Sequence, residues 1–110
     1  MTRIFVETDV FTRQWAAMGL DDDDLRELEG ILLENPSAGD TISETGGAKK
    51  LRVSLEGRGK RGGGRVVYID VVVKETIFLL TAYAKNVQVD LTPEQKKAVR
   101  KVVKTIMEEE

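Results

Sequence analysis

Histidine and cysteine are both missing from this 110-residue sequence. Without cysteine there is no disulfide frame, no thiolate nucleophile and no zinc–thiolate site. Without histidine the commonest general base and the commonest metal ligand are gone as well. No cofactor and no metal are expected. Nor does any apolar run approach the roughly 18 residues that span a bilayer. The opening MTRIFVETDV lacks the long apolar core of a signal peptide. The expectation is one soluble, cytoplasmic domain over residues 1–110, with no membrane partner.

Charge of one sign is not in excess overall, the formal net being −2. Its distribution says more. Residues 1–46 carry 11 acids and 3 bases, and residues 66–110 carry 7 of each. Between them, residues 47–65 hold seven bases (Lys49, Lys50, Arg52, Arg58, Lys60, Arg61, Arg65) and one acid, Glu56, a local net of +6. Exposed charges are screened beyond about 8 Å at physiological salt. A polyanion touching this segment therefore feels the patch more than the global sign.

The pattern of apolar residues predicts a short edge strand over 3–8, with Ile4 and Val6 alternating against Arg3, Phe5 and Glu7. Phe11, Trp15 and Met18 then recur at helical spacing, with Thr8 or Asp9 as cap and Gly19 at the end. DDDDLRELEGILLENP starts a second helix. Its aspartates suit the positive end of the helix dipole, and Leu25, Leu28, Ile31 and Leu32 make its apolar face. After Asn35-Pro36, SAGDTISETGG reads as a polar loop. Strands are predicted over 49–55, 65–73 (a central strand) and 76–84, with Lys74-Glu75 as the turn between the last two. TPEQ at 92–95 opens a third helix carrying Ala98, Val99, Val102, Val103 and Ile106. The order β-α-α-β-β-β-α points to an α+β domain, with helices packed on a mostly antiparallel sheet.

Gly57 to Gly62 match G-x-G-x-x-G. A strand follows, however, whereas a dinucleotide loop must open a helix. Gly59-Lys60 is followed by Arg61 rather than Ser or Thr, so it is no Walker loop either. The plain reading is a hairpin loop whose cations keep the protein soluble. The sharper one is a polyanion site. Lys50 and Arg52 share one face of their strand, and Arg65 opens the next. If the two strands pair, the three cations converge, and an anion such as phosphate relieves their repulsion. Tyr68, Tyr83 and Trp15 read as core. The DDDD run lacks the glycine and distal glutamate of a calcium loop.

The stretch GGAKKLRVSLEGRGKRGGGRVVYIDVVVKETIFLLTAYAKNVQVDLTPEQ, residues 46–95, resembles the RelE/HigB-like toxins of bacterial toxin–antitoxin systems, within the RelE/ParE superfamily and its phage-related branch. The shared pattern is K-x-R, G-R-G-K-x-G-G-x-R-V-x-Y, I-F-L-L-x-x-Y-x-K and D-L-T. The resemblance implies a helical hairpin packed with an N-terminal strand on a twisted, mostly antiparallel sheet, plus a C-terminal helix. It implies ribosome-dependent cleavage of mRNA: a ribose 2′-hydroxyl attacks the adjacent phosphate. By position, Arg65 matches the strand arginine at the scissile phosphate, with Lys60 and Lys85 as further catalytic cations. Lys50, Arg52, Arg58, Arg61 and Asp90 fall at RNA-contacting positions. The implied partners are a cognate antitoxin of helix-turn-helix type, the ribosome and mRNA. Better-known members carry a histidine or a late tyrosine. Here there is no tyrosine after residue 83, so catalysis rests on cations, or on a lysine whose pKa its neighbours lower. The alternatives are a ParE-like, non-enzymatic inhibitor of DNA gyrase, or an inactive toxin fold that only binds its antitoxin.

Overall fold

Each α-helix starts where a side chain is ready to satisfy its first N–H groups. The protein is described here by a computed structural model covering residues 2–54 and 63–109. Helix α1, Asp9–Ala17, is capped by Thr8, whose hydroxyl accepts from the Phe11 N–H at 3.1 Å. Helix α2, Asp22–Glu34, follows Asp21, and Asp21 and Asp24 cap each other's backbone N–H groups. The acidic run supplies first-turn charge, as its place in the sequence suggested, and a capping box that the sequence reading had not included. Helix α3, Pro93–Glu108, has the same reciprocal box in Thr92 and Gln95. At its far end the Lys74 ammonium donates to the Ile106 carbonyl at 2.9 Å, a cation on the negative pole of the helix.

Strands Ile4–Glu7 (β1), Asp40–Thr41 (β2), Lys49–Val53 (β3), Gly64–Val71 (β4) and Thr76–Ala84 (β5) form one sheet in the order β1-β5-β4-β3-β2. β1 pairs with β5 in parallel, and the other neighbours are antiparallel. The α+β class with its N-terminal edge strand, helical hairpin, mostly antiparallel sheet and C-terminal helix is as expected.

Details differ. On β1 it is Phe5 that packs on the core, while Ile4 is 62% exposed, so the strand presents the opposite face from the one its aliphatic residues suggested. β2 lies in the segment read as a loop. β4 stops at Val71. Val72–Lys74 make a 3₁₀ turn, and Glu75 adopts φ 48°. Val73 is 90% exposed, so β propensity had no core to bury it against.

Both faces of the sheet are covered. One carries α1 and α2 through Phe11, Trp15, Met18, Leu28 and Leu32, packed on Val66, Tyr68, Ile77 and Leu79. Phe11 and Trp15 stack with centroids 5.4 Å apart, and the indole N–H donates to the Asp21 carbonyl. The other face carries α3 through Val99, Val103 and Ile106, packed on Val67, Ile69, Leu80 and Tyr83. A β-bulge makes this division possible. Val67 pairs with Thr81 and Tyr68 with Leu79, which leaves Leu80 as the extra residue. The bulged carbonyl of Leu80 accepts from the Thr8 hydroxyl at 2.7 Å, so the start of α1 is fastened to the bulge.

Tyr68 is fully buried and its hydroxyl is used twice. It accepts from the Gly39 N–H at 2.9 Å and donates to the Pro36 carbonyl at 2.8 Å. Gly39 is required there: a Cβ would sit 2.6 Å from the Lys50 carbonyl oxygen and 2.9 Å from the Tyr68 ring. This contact places the segment entering β2 beside β3, and with it Lys50.

Candidate nucleic-acid interface

Register brings the expected cations together. Lys50 and Arg52 lie two apart on β3 and share a face. Arg52 is directly opposite Arg65 on β4, and Arg65 is directly opposite Tyr83 on β5. One row across three strands therefore reads Arg52, Arg65, Tyr83, and the next reads Lys50, Val67, Thr81. Tyr83 and Val67 belong to the α3 side, so the cations share the face on which α3 packs. Like charges placed directly opposite across a sheet are destabilising, by up to about 1 kcal/mol.

The end of the sheet holding this row is built tightly. The Lys85 N–H donates to the Gly63 carbonyl at 3.0 Å, which sets Lys85 beside the start of β4. Gly64 lets β4 approach the layer below: a Cβ there would stand 2.6 Å from the Met18 methyl carbon. Arg65 is half-buried, and its guanidinium donates to the Gly64 carbonyl at 3.0 Å.

Asp90 closes one side of the site. Its carboxylate accepts from the Lys50 ammonium at 3.0 Å; the Lys50 side chain is 33% exposed and that of Asp90 62%. The hydrogen bond and charge of Lys50 pull the Asp90 carboxyl below the usual carboxylate range, with Lys96 and Lys85 adding to the effect. Lys50 is correspondingly pushed up, chiefly by its hydrogen bond to Asp90, while partial burial and Arg65 work against the shift. Lys50 therefore stays a cation, and the expectation of a lysine with a lowered pKa fails at this position. Tyr83 is 6% exposed. Burial pushes its hydroxyl up and Asp90 adds to this, while Lys50 and Arg65 oppose it. At neutral pH it keeps its proton. A cleft of about 220 Å³ opens here, lined by Thr41, Ser43, Lys50, Tyr83, Asp90 and Lys96.

Residues 2–110 match the family described as the RelE toxin of the RelE/RelB toxin–antitoxin system. The chain belongs to that family. Solved structures of RelE share its fold. A variant of the E. coli toxin RelE in the free state, with two arginines replaced by alanine, has 16% identity and a TM-score of 0.55, covering 80% of this chain and 88% of that one. The intact E. coli RelBE toxin–antitoxin complex gives 16% identity and a TM-score of 0.54 over 74% of this chain and 95% of that one. The isolated E. coli RelE toxin gives 16% and 0.52 over 91% and 98%.

Of the site residues expected for a RelE-family chain, Lys50, Arg65 and Asp90 gather at one end of the α3-side face, with Lys85 at the end of β5 beside them; Arg52 is paired with Arg65 in register and also borders a cleft with Asp24 and Glu27 of α2. Arg58, Lys60 and Arg61 lie outside the described residues. Tyr83 and Lys96 join the cleft although the sequence did not mark them. The ring of Tyr83 is core, as expected, but its place in the cation row was hidden. Counted by twos from Ile77 and Leu79, residue 83 falls on the α1–α2 face. The bulge at Leu80 moves it to the other.

Proposed function

We propose that this RelE-family chain is the toxin of a type II toxin–antitoxin pair and cleaves mRNA on the ribosome. The observation that carries the reading is the Arg52–Arg65 row with Lys50 beside it on one rigid face. When a ribose 2′-hydroxyl attacks the adjacent phosphate, negative charge grows on the phosphate oxygens. Cations fixed in advance on a sheet stabilise that charge without having to reorganise. In this reading Arg65 contacts the scissile phosphate and Arg52, Lys50 and Lys85 hold the flanking backbone. Lys60 for the chemistry, and Arg58 and Arg61 for RNA contact, are proposed from the family pattern alone. As the 2′-oxygen bonds to phosphorus its proton passes to solvent, the bond to the 5′-oxygen breaks, and Tyr83, protonated beside these cations, delivers a proton to that departing oxygen, leaving a 2′,3′-cyclic phosphate and a 5′-hydroxyl. A chain without histidine then relies on charge stabilisation first and proton transfer second. The reading entails a cognate antitoxin, of helix-turn-helix type, that neutralises the cationic face.

The test is induction in cells followed by primer extension on a translated and an untranslated copy of one transcript. New 5′ ends confined to the translated copy, and absent with Arg65→Ala, support the proposal. Intact transcripts together with arrested growth and inhibited gyrase supercoiling would move the chain to the ParE-like reading. Intact transcripts with unaffected growth would leave only antitoxin binding.

A further inference from the structure

Asp90 has no place in a surface meant for phosphate. A carboxylate repels the strand that Arg52 and Arg65 attract. It is nonetheless held by Lys50 at 3.0 Å and drawn down further by the charges of Lys96 and Lys85. Lys50 and Lys96 line one cleft with this carboxylate, and the cleft also offers the hydroxyl-bearing side chains of Thr41 and Ser43. Lys50 stands two residues from Arg52 on β3, about 7 Å along the strand. The cleft is therefore a second seat adjoining the Arg52–Arg65 row, with Tyr83 shared between them.

The attachment of Asp90 also matters. It lies between β5 and α3, outside any helix or strand. Its backbone is fixed: the Gln88 amide donates to the Asp90 carbonyl at 2.9 Å and to Gln95 at 2.8 Å, and Thr92 caps α3 two residues later. The side chain, by contrast, is 62% exposed and held through Lys50. A swing about its side-chain torsions releases Lys50 with no movement of the chain.

We propose that Asp90 is an internal stand-in for phosphate: it fills a second anion seat formed by Lys50 and Lys96, which a phosphodiester of the bound strand takes over by displacing the carboxylate. The proposal rests on the reading of this face as an RNA surface and adds its regulation. The carboxylate keeps affinity for arbitrary polyanions low, and the second seat opens only to a strand already held at the Arg52–Arg65 row. It also leaves Lys50 neutralised in the absence of RNA, which limits the repulsion among the clustered cations.

Binding is measured by fluorescence anisotropy on a labelled, non-cleavable 2′-O-methyl RNA oligonucleotide across a salt series. Asp90→Asn should bind three- to tenfold more tightly than the parent, with a salt slope steeper by about 0.7, the value for one more phosphate neutralised on a single strand. The gain should vanish when Lys50→Met is added. Equal or weaker binding by Asp90→Asn overturns the proposal. So does an equal gain from Glu94→Gln, which would mark a general charge effect, and so does a gain that survives Lys50→Met. Because the oligonucleotide cannot be cut, this result is independent of primer extension. Tighter binding by Asp90→Asn with intact cellular transcripts would uphold the stand-in and reject mRNA cleavage, and the reverse pattern would do the opposite.

Discussion

Arg52 and Arg65 face each other from directly paired positions on neighbouring strands. A sheet selected for stability alone would place opposite charges or a β-branched pair there. Replacing Arg52 by threonine removes the repulsion and installs a good strand former. Stability to urea should rise by about 0.2–1 kcal/mol, the size of a cross-strand pair effect. RNA binding and mRNA cleavage should both fall. A variant less stable than the parent would show that the two guanidiniums are not in conflict.

Tyr83→Phe keeps the buried ring and removes only the hydroxyl. Its melting temperature should stay near that of the parent. Cleavage of translated mRNA should fall by about 10² to 10⁴, the usual contribution of a positioned proton donor. Unchanged cleavage would remove Tyr83 from the chemistry and leave it as packing.

Tyr68→Phe is the opposite case. It strands a buried N–H at Gly39 and a carbonyl at Pro36, so unfolding should require about 1–3 kcal/mol less. Gly39→Ala should be at least as damaging, because its Cβ meets the backbone carbonyl of Lys50, which cannot step aside. Gly64→Ala should be milder, since the nearest obstacle is the flexible end of Met18. Chemical denaturation of the three variants checks the order.

The pH response follows from the Lys50–Asp90 pair. Asp90 is depressed, so its contribution to stability is present above the ordinary carboxylate value of about 3.9 and is lost as pH falls through the lower folded value. Lys50 is raised, so its share is present below about 10.4 and is lost only as pH rises through the higher folded value. With no histidine or cysteine, melting temperature should be flat from about pH 6 to 8. The cleavage rate should show no bell centred near pH 7. A rate optimum there, with steep limbs on both sides, would demand a base these residues do not supply.

The sequence was most readable where chemistry is local. Thr92-Pro93-x-Gln95 and the DDDD run declare helix starts because caps act over three residues, and both caps form. The strand from Thr76 to Ala84 was legible end to end from its apolar run. The meeting of Lys50, Arg52 and Arg65 was legible as soon as two strands were paired. Legibility failed where a distant partner decides. Phe5 is core because the sheet face beneath it holds α1 and α2. Asp90 is tied to Lys50 across 40 positions, and no local pattern announces that contact.

The extra residue at Leu80 has a consequence for how this protein can change. Delete it, and the ladder becomes regular: Thr81 follows Leu79 directly, and Thr81 to Ala84 keep the partners and faces they have now. Tyr83 would stay beside the cations, and Ala82 and Ala84 on the α1–α2 side. What would go is the Leu80 side chain under α3 and the carbonyl to which the Thr8 hydroxyl now donates. The surplus residue is thus a mooring for the first helix, and the strand could shed it without turning over.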